Sequence, residues 1–138
     1  QEPEPLSYLQ VEGNKAYDIN LEIQLKGENM DGAHIISETN FKYMYWNMCQ
    51  QLAHQTITGC NVQPGDLYAS GTISGATGDS YGSMLELAWK GTKPLQFPNG
   101  EERKFLQDGD TVILSGYCQA EGYRVGFGEA TGTIKPAK

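Results

Sequence analysis

The sequence predicts a mainly β fold with one helix, the strands forming a curved, rolled sheet. Three observations carry that reading. A single segment has apolar residues at helical spacing, many short segments between turn signals read as strands, and the 138 residues include 17 glycines. In chain order, an opening segment, 1–16, comes first. Its first ten residues place acids and prolines in quick succession and read as a frayed lead-in. Residues 17–25 alternate strictly: Tyr17, Ile19, Leu21, Ile23 and Leu25 share one face, and Asp18, Asn20, Glu22 and Gln24 the other, a half-exposed strand. Gly27 and Asn29-Met30-Asp31-Gly32 form a turn into a short return strand at 34–37. The helix is expected over 41–55, capped by Asn40 and ended by Gly59, with Phe41, Met44 or Tyr45, Met48 and Leu52 on its apolar face.

Beyond the helix everything reads as β. Residues 67–70 and 84–89 are expected strands. Residues 95–97 and 103–106 pair across Pro98-Asn99-Gly100-Glu101, where Asn-Gly is a strong hairpin signal. Asp108-Gly109 turns into a strand at 111–115. Residues 123–127 form a strand broken by Gly126, and Thr133-Ile134 closes the chain. There is no internal repeat and no low-complexity linker. The pattern by itself does not separate a roll from a barrel.

Composition excludes several functions. The formal net charge is −7, the isoelectric point is about 4.7, and the 10 basic residues are scattered, which argues against nucleic-acid binding. No apolar run approaches a membrane span, and no secretory apolar core appears. The cysteines Cys49, Cys60 and Cys118 are odd in number and lack CxxC spacing, so they read as reduced thiols of a cytoplasmic protein rather than a zinc ribbon or a disulfide scaffold.

Two neighbouring stretches carry the candidate chemistry: Gly65-Asp66-Leu67-Tyr68-Ala69-Ser70-Gly71-Thr72-Ile73-Ser74-Gly75 and Gly82-Ser83-Met84-Leu85-Glu86-Leu87-Ala88-Trp89-Lys90-Gly91. In the first, Gly71 and Gly75 bracket Thr72 on backbone able to approach a ligand closely. In the second, Glu86 is one carboxylate on an otherwise apolar strand, between Met84 and Ala88. Burying it costs several kcal/mol unless a partner satisfies it. The residues themselves leave two readings open for each: Glu86 is a site acid or an edge-strand acid, and Thr72 is a ligand contact or an ordinary strand threonine. Other candidates read as structural. His34 and His54 lack metal-motif partners, and His54 suits a helix C-terminus. Asp108-Gly109-Asp110 lacks the calcium-loop pattern and reads as a turn. Arg124 reads as a surface ion-pair partner. Tyr43, Tyr45 and Trp46 read as core or interface packing.

The two stretches resemble the fumarylacetoacetate hydrolase family. The likeness extends through Asn40-Phe41-Lys42-Tyr43-Met44-Tyr45-Trp46, Gln50-Gln51-Leu52, Asn61, Pro64-Gly65-Asp66 and Gly91-Thr92-Lys93-Pro94. It continues through Asp108-Gly109-Asp110, Gly116-Tyr117-Cys118-Gln119 and Gly122-Tyr123-Arg124-Val125-Gly126-Phe127-Gly128. It implies a β-roll of which this chain is the C-terminal portion, the N-terminal domain and the first half of the catalytic domain having no counterpart here. It further implies hydrolysis of the carbon–carbon bond of a diketone, 4-fumarylacetoacetate, to fumarate and acetoacetate. In that chemistry calcium, with magnesium as a second ion, polarises the substrate, and a histidine base activates water. Carried over residue by residue, Glu86 matches the acid that orients the histidine, Thr72 matches a substrate-binding threonine, and Gly71 supplies loop geometry. No metal ligand carries over, and the histidine belongs upstream of Gln1, so the chain alone is expected to be inactive. The resemblance also implies a cytoplasmic homodimer acting on a small-molecule substrate. The competing readings are a related acylpyruvate hydrolase or decarboxylase, an acidic β-roll association module, and one chain of a nicked protein.

Overall fold

The computed structural model describes residues 1–13 and 16–138; of the predicted opening segment, Asn14 and Lys15 lie outside the described residues. Four strands, with residues 34–40, 20–26, 111–120 and 123–133 side by side in that order, form one antiparallel sheet. β1 (Asn20–Lys26) and β2 (His34–Asn40) make a hairpin across the Gly27–Met30 turn, where Met30 N–H donates to the Gly27 carbonyl at 3.1 Å. β5 (Thr111–Ala120) pairs with β1 on one side and with β6 (Tyr123–Thr133) on the other. Mainly β, as predicted, is therefore what forms. A separate two-stranded ribbon joins β3 (Leu95–Gln96) to β4 (Glu102–Arg103), with Gly100 at φ +86° in the Asn-Gly turn. That turn needs a left-handed residue, so glycine is the residue it takes.

β6 is not broken at Gly126. The irregularity lies where Gly116 faces Phe127 and Gly128: pairing steps from Ser115–Glu129 to Tyr117–Gly126, and Gly128 adopts φ +76°. This is a β-bulge, with the extra residue on β6. Gly116 also sits where a Cβ would stand 3.0 Å from the Leu21 side chain and 3.2 Å from the Asn20 carbonyl oxygen, so β1 and β5 are close-packed there. Arg124 stacks over the Tyr117 ring, its guanidinium carbon 3.4 Å from the centroid, in place of the expected ion pair.

The buried core is small. Leu25, Met30 and Phe97 are its centre, with Ile36, Leu95 and Val112 packed around them and His34 edge-on to Phe97. Of the predicted stripe along β1, only Leu25 is fully buried. Beside this core lies a buried ionic knot. Arg103 (6% exposed) meets Asp110 (1% exposed) through Nε at 3.1 and 3.0 Å and Nη2 at 3.0 Å, and Nη2 also donates to Glu101 at 2.6 Å. The Asp110 hydrogen bonds raise the Arg103 pKa; desolvation opposes them, and the Glu101 bond and both carboxylate charges add to the rise. The knot fills the space over Gly27, where a Cβ would lie 2.6 Å from Arg103 Nη2.

The helical region departs from the expected continuous helix. A 3-10 turn, Phe41–Tyr43, takes the Asn40 cap, with Lys42 N–H donating to Asn40 Oδ1 at 2.9 Å. The chain then extends through Met44, and α1 (Met48–Thr56) starts afresh at Asn47. There Asn47 and Gln50 form a reciprocal capping box at 3.0 Å in each direction, which satisfies two first-turn N–H groups and fixes the helix start. Gln50 is also the buried residue of α1, donating to the Leu9 carbonyl at 2.8 Å. Of the expected apolar face, Phe41 is buried in the 3-10 turn and Met44 half-buried, whereas Met48 and Leu52 on α1 are exposed. The opening residues are not frayed. A 3-10 turn at Ser7–Leu9 buries Leu9, Tyr8 hydrogen-bonds His54 at 3.1 Å, and Tyr45 donates to the Pro3 carbonyl. Side-chain contacts to α1 therefore replace the disorder that composition suggested.

Candidate active site

Residues 84–89 do not form a strand. Met84–Leu87 is a short helix, α2, with Ser83 as its N-cap. The local cause is Ser83-x-x-Glu86, the spacing in which a serine accepts from the N–H three residues on; Glu86 N–H donates to Ser83 Oγ at 3.3 Å. The predicted two faces of a strand therefore do not exist. Ala88 is fully buried, Glu86 half-buried and Leu85 exposed. Residues 67–70 likewise form no ladder. They follow a turn in which Gln63 N–H donates to Asp66 Oδ2 at 2.8 Å, and Leu67 is 96% exposed.

The site is built by two segments that touch without pairing as strands. Gly75 N–H donates to the Ser80 carbonyl at 2.8 Å, closing a loop at the end that adjoins Ser74. Ser74 Oγ accepts from Gly82 N–H at 3.1 Å and lies 3.0 and 2.9 Å from the two Glu86 carboxylate oxygens. Ser83 Oγ donates to Glu86 Oε2 at 2.8 Å. The approach is possible because residue 82 is glycine: a Cβ there would stand 2.4 Å from the Ile73 carbonyl oxygen and 2.9 Å from Thr72 Cγ2. Residue 75 has the same constraint, with Ser80 Oγ at 2.4 Å from an added Cβ.

Glu86 also borders a shallow concavity of about 330 Å³ lined by Tyr81, Leu85, Trp89 and Lys90. Its far wall is set by three consecutive left-handed residues, Trp89 at φ 44°, Lys90 at φ 55° and Gly91 at φ 80°. Each non-glycine residue there costs about 1–2 kcal/mol. The run is held by Lys90 N–H to the Leu85 carbonyl at 2.8 Å and Lys93 N–H to the Ala88 carbonyl at 3.0 Å, and Lys93 Nζ lies 5.0 Å from the Trp89 ring centroid.

The structure thus brings the Thr72 segment and Glu86 together, with Ser74 as the link. Thr72 itself is exposed, its methyl group against Gly82. Gly71 is exposed at φ +76°, a left-handed conformation that glycine adopts freely. Among the described residues no three His, Cys, Asp or Glu side chains are grouped to hold a metal ion, so calcium or magnesium has no fitting ligand set here. His34 and His54 are engaged with Phe97 and Tyr8. The three cysteines are free thiols, and no helix is long and apolar enough to cross a membrane among the described residues. Ser74 and Ser83 were not singled out from sequence. The Ser83-x-x-Glu86 spacing was the signal available for one of them; Ser74 had none.

Comparison with known proteins gives the family. Residues 5–135 match the profile of the fumarylacetoacetate (FAA) hydrolase C-terminal family. Fumarylacetoacetase of Homo sapiens is 58% identical over 137 residues, covering 99% of this chain and 33% of the human protein. The enzymes of Dictyostelium discoideum and Arabidopsis thaliana are 55% and 52% identical, each over 99% of this chain. The chain spans about a third of the length of these curated relatives. A match spanning residues 5–135 places the chain in the fumarylacetoacetate hydrolase family, in its C-terminal part.

Proposed function

We propose that this chain supplies one wall of the active site of a longer polypeptide that hydrolyses 4-fumarylacetoacetate to fumarate and acetoacetate, a step of tyrosine and phenylalanine catabolism. The observation that carries the reading is the Glu86 carboxylate, fixed by two serine hydroxyls at the edge of a concavity and joined to the Thr72 loop. In this reading Glu86 orients the base that takes a proton from water. A charged acceptor close to that base favours its protonated form as the water is consumed. Thr72 donates from its hydroxyl or N–H to a substrate carboxylate, and Gly71 gives the loop its left-handed turn. The base, and the ligands for calcium and magnesium, lie in parts of the polypeptide other than these residues. The same reading completes the β-roll with strands from that remainder and makes the whole a cytoplasmic homodimer.

The test is Glu86→Gln in the intact polypeptide. The side chain keeps its shape and loses its charge, so kcat falls about 100-fold or more while KM changes little. Near-normal turnover in that variant overturns the reading. As a companion measurement, the isolated 138-residue chain is expected neither to turn over the diketone nor to bind calcium tightly; micromolar calcium affinity by calorimetry would show that ligands are present after all.

A further inference from the structure

We infer that Ser74 is a positioning residue that acts through Glu86, and that Oε1 of Glu86 is the oxygen left open to the group that exchanges the proton. This rests on the functional reading above. The two serines hold the carboxylate differently. Ser83 is three residues away as the N-cap of the same short helix, takes the Glu86 N–H into its own oxygen, and donates to Oε2 alone. Ser74 comes from the other segment. Its oxygen receives Gly82 N–H at 3.1 Å, so its one proton is turned towards the carboxylate and shared between Oε1 at 3.0 Å and Oε2 at 2.9 Å. An ionised carboxylate has about four acceptor sites, and two hydroxyls supply two protons. Oε2 receives one whole donation and part of another. Oε1 receives only the shared one, so it keeps acceptor capacity for an N–H arriving from outside this chain.

Ser74 is also the hydroxyl that ties the acid to the Thr72 loop, across 12 positions of sequence. Removing it leaves Glu86 held by Ser83 at Oε2 alone, so the direction of Oε1 is no longer fixed from the Thr72 side. The consequence is a loss of rate, not of substrate affinity, because the reacting group and its orienting acid move out of register.

The experiment is a double-mutant cycle in the intact polypeptide, with Ser74→Ala, Glu86→Gln and the pair. Ser74→Ala is expected to lower kcat about 10-fold, with KM within about 2-fold, because one hydrogen bond to a charged group is lost. In the Glu86→Gln background, Ser74→Ala should lower kcat by less than about 2-fold further, since both changes disable the same carboxylate. Ser74→Thr, which keeps the hydroxyl, should restore most of the rate. Ser74→Cys, close in size but a weak donor, should resemble alanine and serves if the alanine variant does not fold. Multiplicative losses in the double mutant, or a raised KM at unchanged kcat, overturn the inference. If Glu86→Gln is itself near normal, the functional reading fails; if Glu86→Gln is impaired and Ser74→Ala is not, only the role of Ser74 fails.

Discussion

The Arg103–Asp110 knot and the Ser74–Glu86 clasp each hold a carboxylate by short-range donors, and they do it to opposite ends. Asp110 is sealed. Two Arg103 N–H groups, Nε shared between both oxygens and Nη2 on Oδ1, together with Gln107 N–H at 2.9 Å, occupy both of its oxygens, and its charge is cancelled where it sits. Glu86 is gripped by two neutral hydroxyls, is half-buried, and faces a concavity. Its charge is positioned but not cancelled. A paired buried charge keeps ribbon β3–β4 and the β5 start in place; an uncancelled, oriented one is available for chemistry.

Breaking the knot should have the largest effect on stability. Asp110→Asn leaves the buried Arg103 charge without its main partner, so equilibrium urea unfolding should show a loss of about 3–5 kcal/mol. Raising pH is a poor substitute for that mutation. A pKa raised in the folded state contributes stability that is fully present below the unfolded value and lost only as pH climbs through the folded one. For Arg103 that window lies beyond the range where lysine and tyrosine titrate, so the knot persists through it.

Breaking the clasp should reverse the ranking. Glu86→Gln, with its roughly 100-fold loss of kcat, should cost no more than about 1 kcal/mol in the same urea experiment, because an amide oxygen still accepts from the two serines. A larger stability loss would make Glu86 a second structural acid and erase the contrast. The smallest effect belongs to the loop. Thr72→Val keeps the shape and deletes the hydroxyl, so KM should rise about 10-fold, with turnover less affected and Thr72→Ser close to normal. Equal substrate affinity in the valine variant would leave the loop with a backbone role only.

Reading the sequence worked where one turn decided the outcome. The Asn-Gly hairpin and the turn at Asp108-Gly109 describe elements whose cause is local, and the whole-chain likeness fixed the family; the strand expected at 17–25 forms as Asn20–Lys26, without the alternating burial. The reading failed where side-chain hydrogen bonds outranked periodicity. Residues 84–89 read as an apolar strand carrying one acid, yet Ser83 caps Met84–Leu87 into α2; Asn47 and Gln50 restart a helix that spacing alone would carry back to Phe41. Asp110 read as a turn residue, and the turn is there, but its burial against Arg103 depends on β4 folding back across the intervening loop, which no local pattern reports. For the site, Glu86 and the Thr72 loop were legible as a pair; the serine joining them was not, because an isolated serine in a glycine-rich loop carries no spacing to read.

The close approach at Gly75 and Gly82 makes that loop intolerant of any added side chain. At Gly32, Gly78, Gly126 and Gly132 an added methyl group would meet no atom within 4 Å, and none of the four has a left-handed φ. At residues 75 and 82 the same methyl would lie 2.4 Å from a neighbouring oxygen, which for residue 82 is backbone. Among natural sequence variants, glycine-to-alanine, the mildest change genetics offers, should therefore be silent at the first four positions. At residue 82 it would prise the Ser74 segment away from α2 without touching a charged or polar side chain.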